Sequence, residues 1–220
     1  MNIRSITLDL DGTLVDSVPD LTLACQAMLQ DLHEAPITEH EIRSFVGEGM
    51  ANLVRRCLAR SGEVDAHRLE TGIAAFRQHY RRLNGHTACL YPGVLPALQT
   101  WHLQGLPLAC VTNKPEEFTR PLLKQLGIAH FFKVVVGGDT CEHKKPHPEP
   151  ILFACQQMGS DPRFNLHIGD SRHDVAAARA AGCVVGGVPY GYNGESPLAA
   201  ASCDVFFSSL SNFLSSTNDH

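Results

Sequence analysis

Five short apolar runs, each stopped by polar, glycine or proline residues and separated by helical patterns, restrict this chain more than any other feature. They are residues 3–10 before Asp11-Gly12, 108–111 before Thr112-Asn113, 132–136 before Gly137-Gly138, 166–168 before Gly169-Asp170, and 184–188 before Pro189. Apolar runs of this kind suit strands buried on both faces, as in a parallel sheet. Residues 93–102, 121–126, 148–158 and 172–181 read as helices between them. Pro121 would break the middle of a helix, so that helix is expected to start there, with Gly127 as its stop. Ser171 suits an N-cap and Gly182 a C-terminal stop. The alternation predicts an α/β fold, a Rossmann-like open parallel sheet with helices on both faces.

Residues 17–85 break the alternation. Leu21, Ala24, Cys25, Met28, Leu29 and Leu32 mark one amphipathic helix, and Ile42 with Phe45 a short second one. Leu53, Val54, Cys57 and Leu58 mark a third; Leu69, Ile73, Phe76 and Tyr80 mark a fourth. This stretch reads as a helical cap domain inserted after the first strand, leaving 1–16 and 86–220 as the α/β core. The cap is expected over the carboxyl ends of the strands, where such sheets bind ligands. The polar tail after Leu214 is expected to fray.

A net charge of -5 argues against nucleic acid or an anionic membrane as the main partner. No apolar run approaches the roughly 20 residues of a membrane span. The first residues carry no signal-peptide pattern, so a cytoplasmic location is expected. The eight cysteines are scattered and contain no Cys-x-x-Cys pair, so they read as small core residues. Cys141, His143 and His147 could form a zinc site, although their spacing matches no closed four-ligand pattern. Both a monomer and a homodimer are compatible with the sequence.

The chemistry lies at the strand ends, because carboxyl ends of parallel strands converge on one crevice. Asp9 and Asp11 flank a single residue before a glycine turn. Two nearby carboxylates repel unless a cation lies between them. Mg²⁺ takes hard oxygen ligands and suits two or three acids plus a substrate phosphate, with Asp170 the natural third acid. One aspartate can attack phosphorus while the other serves as acid and base. A small organic phosphate is the expected partner.

The run Asp9-Leu10-Asp11-Gly12-Thr13-Leu14-Val15-Asp16-Ser17 resembles the first motif of the haloacid dehalogenase superfamily. Val111-Thr112-Asn113 resembles the second motif, Lys145 within 144–150 the third, and Gly169-Asp170-Ser171-Arg172-His173-Asp174 the fourth, all in the family's order. The resemblance implies Asp9 as nucleophile and metal ligand. It implies Asp11 as general acid/base that ligates Mg²⁺ through its main-chain carbonyl. Thr112 would hydrogen-bond the transferring phosphoryl oxygens, Asn113 beside it would take part in substrate binding, and Lys145 would neutralise the transition state. Asp170 would be the remaining ligand of Mg²⁺, with Asp174 supporting the metal site from behind. Taken alone, Thr112 could simply cap a strand, Asp174 could be a helix-start acid, and Lys144 is a rival for Lys145.

Asp11 favours phosphate chemistry over dehalogenation, which has no leaving alkoxide to protonate. Phosphonate hydrolysis in this superfamily needs a cap lysine, and no lysine precedes Lys114. Arg43, Arg55 and Arg56 lie near the turn Phe45-Val46-Gly47-Glu48-Gly49. Arg55, Gly47 and Gly49 are therefore candidate substrate-binding residues, through a guanidinium fork and a close backbone approach. That turn, Leu90-Tyr91-Pro92-Gly93-Val94 and Pro189-Tyr190-Gly191-Tyr192-Asn193 resemble the bacterial phosphoglycolate phosphatases. The implied reaction is hydrolysis of 2-phosphoglycolate to glycolate and phosphate. A phosphatase for another small metabolite such as a sugar phosphate, a β-phosphoglucomutase-like mutase and a non-catalytic binding module remain as alternatives.

Overall fold

Six strands form one parallel sheet in the computed structural model, which describes residues 2–192 and 198–211. Their order is β5 (Phe132–Val136), β4 (Leu108–Val111), β1 (Ser5–Leu8), β6 (Asn165–Gly169), β7 (Val184–Gly187) and β8 (Val205–Phe206). Strand β1 is central, with Ile6 opposite Leu108 on one side and Leu166 on the other. The winding reverses at β1, so the carboxyl ends of β1, β4 and β6 border the crevice where such sheets take ligands.

Alternation along the strands sorts side chains to two faces. Leu108 and Cys110 join Trp101, Leu122 and Leu123 in a core with helices α5 (Val94–Leu103) and α6 (Glu116–Gln125). Ala109 and Val111 face α7 (Glu149–Met158) and α8 (Arg172–Ala181). Each helix thus covers a largely apolar sheet face, on which the buried polar side chains of Ser5, Thr7, Asn165 and His167 are hydrogen-bonded.

The first strand is shorter than its apolar run, because the chain curls just beyond it. Asp9 still donates its N–H to Ile168 O, but Leu10 O then accepts from Leu14 N and Val15 N. Gly12 makes the curl possible at φ +89°, and a Cβ there would lie 2.3 Å from Asp170 Oδ2. The start of α6 also differs from expectation. Pro121 lies inside the helix rather than at its head. Asp139 accepts from Glu116 N at 2.8 Å and fixes the first turn from outside. The bond that Pro121 cannot make concerns Glu117, an exposed residue whose carbonyl water can serve. Strand β8 carries only two residues, too short for a legible pattern.

Helices α1 (Val18–Asp31), α2 (Glu39–Phe45), α3 (Met50–Ala59) and α4 (Ala66–Leu83) build a separate core. It contains Met28, Ile42, Leu58, Phe76 and Tyr80, and from the sheet side, among the described residues, only Phe118 and Tyr192. The chain leaves and returns through a small antiparallel ladder of β2 (Val15–Asp16) and β3 (Cys89–Leu90). Asp20, fully buried, ties the two crossings together. It accepts from Gly85 N at 2.7 Å, Thr87 N at 2.8 Å and Ala88 N at 3.2 Å. Tyr192 Oη receives the N–H of Ser17 at 2.6 Å and of Val18 at 3.2 Å. Asn193 and the tail beyond Leu214 lie outside the described residues.

Candidate active site

Asp9, Asp11, Thr112, Asn113, Lys145, Asp170 and Asp174 come together at the crevice, although they span 166 positions from 9 to 174. Lys145 is the centre of the arrangement. Its Nζ lies 2.8 Å from Asp9 Oδ1 and 2.7 Å from Asp174 Oδ1, and donates to Val111 O at 2.7 Å. Lys144 points elsewhere, donating to Glu48 O at 2.6 Å. Lys145 is buried, yet its charged form is favoured. Burial alone would lower its pKa, and the Asp174 and Asp9 carboxylates outweigh burial.

Asp174 is anchored on every side. Oδ1 takes Lys145 and His167 Nε2, the latter at 3.2 Å, while Oδ2 takes Ser171 N at 3.1 Å and Ser171 Oγ at 2.5 Å. Behind it, Asn165 Nδ2 donates to Thr7 Oγ1 at 2.8 Å, and Thr7 Oγ1 lies 2.9 Å from His167 Nδ1. With Thr7 donating onward, His167 carries its proton on Nε2 and serves Asp174 as a neutral donor. Burial, which lowers the His167 pKa, favours the same form. For Asp174, burial would raise the pKa, but Lys145 and His167 hold it well below the usual carboxylate range.

Asp9 has the opposite balance. Burial, partly offset by Lys145 and reinforced by the charges of Asp174 and Asp170, pushes it up to about 8. One carboxylate oxygen from each of Asp9, Asp170 and Asp174 lies within 4.8 Å of the others. Asp170 accepts from Tyr192 N at 2.7 Å and Thr13 Oγ1 at 3.3 Å. Gly191 passes so close that a Cβ would lie 2.3 Å from Asp170 Cβ. A crowded, buried acid cluster of this kind suits a hard cation that neutralises it.

Asp11 faces the helical segment instead. It accepts from Ser17 Oγ at 2.6 Å and from Lys114 Nζ at 3.0 and 3.1 Å. Lys114 also donates to Tyr80 Oη at 2.7 Å. Burial alone would lower the Lys114 pKa; Asp11 and Tyr80 more than offset that and raise it. The sequence offered one signal for this lysine, its position directly after the Thr112-Asn113 strand end. Tyr80 gave none, since it fits the apolar stripe of its helix.

A pocket of about 50 Å³ opens beside these groups. Asp9, Asp11, Thr112, Asn113 and Lys114 line one side, and Leu21, Val46, Met50, Leu53, Phe76 and Phe118 the other. Gly47 and Gly49 also line it, both at positive φ, and Gly49 precedes the first residue of α3. Asn113 Nδ2 donates to Gly47 O at 3.0 Å and Lys145 O at 2.9 Å, tying the turn to the lysine loop.

Arg55 does not reach this pocket. On α3, Leu53, Val54, Cys57 and Leu58 face inward, and Arg55 falls on the exposed arc in a neighbouring groove with Glu48, Lys144 and His173. Arg43 pairs with Asp16 at 3.5 Å and Glu39 at 3.3 Å, and Arg56 with Glu48 at 3.1 Å.

The fold and the strand-end acids define a hydrolase class, and comparison with known proteins agrees. The model of the haloacid dehalogenase-like hydrolase family matches residues 6–188, and the chain belongs to that family. A phosphoglycolate phosphatase of Chromobacterium violaceum is 45% identical over 202 residues, covering 90% of each chain. Another, of Pseudomonas putida, is 43% identical over 94% of this chain and 77% of its own. The crystal structure of "a predicted phosphoglycolate phosphatase" from Haemophilus somnus superposes with a TM-score of 0.92 at 34% identity, covering 99% of both chains. Among the described residues no helix is long and apolar enough to cross a membrane.

Proposed function

We propose that the chain is a Mg²⁺-dependent phosphatase that hydrolyses 2-phosphoglycolate to glycolate and phosphate. The observation that carries this reading is the pocket. The pocket brings the strand-end carboxylates, Lys114 and an apolar wall to one place. Its far wall is apolar and offers few partners to the hydroxyls of a sugar. Lys114, already bonded to Asp11 and Tyr80, is its lone cationic side chain among the described lining residues and supplies the positive charge that would favour a carboxylate there. A two-carbon phospho-acid, with no sugar hydroxyls to satisfy, suits the wall and the charge, and phosphoglycolate phosphatases stand among the relatives.

Asp9 attacks phosphorus and forms an aspartyl-phosphate as the bond to the glycolate oxygen breaks, and Asp11 protonates that leaving oxygen. In the second half, Asp11 takes a proton from the attacking water, and Asp9 is released with inorganic phosphate. Thr112 and Lys145 hold the phosphoryl oxygens and offset their negative charge. Asp9, Asp170 and the main chain of Asp11 would hold Mg²⁺, which supplies positive charge against the phosphate and the acid cluster. Asp174, already bonded at both oxygens, supports Lys145 rather than the ion. The helical segment 17–85 acts as the cap that walls the reaction from water.

Among small phosphates in Mg²⁺, 2-phosphoglycolate is expected to give the highest kcat/KM, with activity lost in chelator. A sugar phosphate better by tenfold would overturn the substrate, and full activity in chelator would overturn the ion. Lys114→Met is expected to raise KM for 2-phosphoglycolate about ten- to a hundredfold, the worth of a charge-assisted hydrogen bond. Hydrolysis of p-nitrophenyl phosphate, which lacks the carboxylate and needs little acid help, should change far less. Equal losses on both would remove Lys114 from substrate recognition.

A further inference from the structure

The loop that delivers Lys145 carries a second constellation that hydrolysis does not use. His143, His147 and Glu149 hold donor atoms within 4.8 Å of one another at the surface. His143 Nδ1 lies 2.9 Å from Glu149 Oε2, and His147 Nδ1 lies 3.9 Å from the same oxygen. Ligands arranged tetrahedrally at about 2.1 Å from an ion stand about 3.4 Å apart. The two observed separations straddle that value, and all three donor atoms lie within 4.8 Å of one another.

The local backbone prepares this geometry. His143 N donates to Glu149 Oε2 at 2.9 Å, and Glu149 N donates to His147 Nδ1 at 3.3 Å. The second bond requires a lone pair on His147 Nδ1, the form that a metal ligand needs, and binding would exchange that bond for the ion. The two imidazoles already stack, with ring centroids 4.2 Å apart and an interplanar angle of 25°. All three side chains are a third or more exposed, so an ion can enter without opening the fold and can keep water in its remaining positions.

Cys141 is not a member of the set. It packs against the apolar cluster of α7 and α8, and Glu149 supplies the third donor instead. Two imidazoles and one carboxylate favour zinc, cobalt, nickel or copper over magnesium or calcium. The all-carboxylate cluster at Asp9 has the reverse preference. The two sites therefore sort ions by ligand chemistry.

We propose that His143, His147 and Glu149 form a surface site for a divalent transition metal, which on binding clasps the loop on both sides of Lys145. This proposal does not depend on which phosphate the enzyme hydrolyses. Its test is titration of the full chain with Co²⁺ in excess Mg²⁺, which occupies the acid cluster. One equivalent of Co²⁺ is expected to build the strong visible absorption of a four- or five-coordinate imidazole site. The paired substitution His143→Ala with His147→Ala should abolish that band. It should also weaken Co²⁺ binding by more than about 100-fold, beyond the 10–100-fold typical of losing a supporting partner. Glu149→Gln, which keeps both rings, should weaken binding and shift the band, and it provides a second variant should the pair fold poorly. Only weak, octahedral-type absorption in the wild type, or an undiminished band in the variants, would overturn the site.

Discussion

Exchange of Asp9 for Asn is expected to lower kcat by about 10⁴-fold or more, the scale of losing a covalent nucleophile. The amide has the shape of the carboxylate but cannot attack phosphorus. Lys145 keeps its other carboxylate, Asp174 at 2.7 Å, so the fold should survive. Stability then gives an independent reading of the same residue in chelator. The Asp9 carboxyl is pushed from 3.8 up to about 8, first by burial. A carboxyl raised in the folded state contributes stability that is full below its unfolded pKa and is lost as the pH rises through the folded one. Relative to Asp9→Asn, the wild type should therefore weaken between pH 3.8 and about 8 by on the order of a few kcal/mol. Asp174, held low, titrates below that window, and the lowered His167 and His173 titrate in both proteins. Urea unfolding at the two ends of the window measures the difference. A wild type that gains on the variant as the pH rises would mean that Lys145 keeps Asp9 ionised.

Lys145→Met should lower kcat by about 10²–10³-fold, the usual loss when one charge-stabilising donor is removed. It should also cost about 3 kcal/mol or more of stability, because it strips a buried carboxylate of its partner. Asp174 is the one most affected, since its low pKa depends on Lys145 before any other group. The neighbouring Lys144→Met is the control. Its ammonium reaches Glu48 O at the surface, so stability should move by no more than about 0.5 kcal/mol. Comparable losses from both substitutions would show that the loop needs charge in general rather than the one ammonium beside Asp9.

The strand ends were legible because a parallel sheet imposes a local signature. Both of its faces are buried, so its strands are written as apolar runs, and the residues that stop them gather at one edge. The start of α6 was not legible. A tertiary contact from Asp139 sets that turn, and local rules for Pro121 carry no knowledge of it. Arg55 was placed too near the pocket because proximity in sequence to Gly47 and Gly49 says nothing about which arc of α3 turns inward. The inward arc is visible only from the buried positions Leu53, Val54, Cys57 and Leu58.

Lys114, Asp20 and Tyr192 were hidden for a different reason. Tyr192 lies in a motif and Lys114 follows a strand end, but neither these nor Asp20 shows in the sequence which group it meets. Their roles arise from partners far along the chain: Asp11 and Tyr80 for Lys114, residues 85–88 for Asp20, and residues 16–18 for Tyr192. The sequence by itself determined the sheet, the four helices within residues 17–85 and the acids at the strand ends, because periodicity and turn chemistry are local properties. Only the tertiary structure decided that Lys145 rather than Lys144 meets Asp9, that Lys114 is the cationic side chain among the described residues lining the pocket, and that an apolar wall faces the polar one. Those are properties of convergence, fixed when two cores pack across one crevice and desolvate the groups between them.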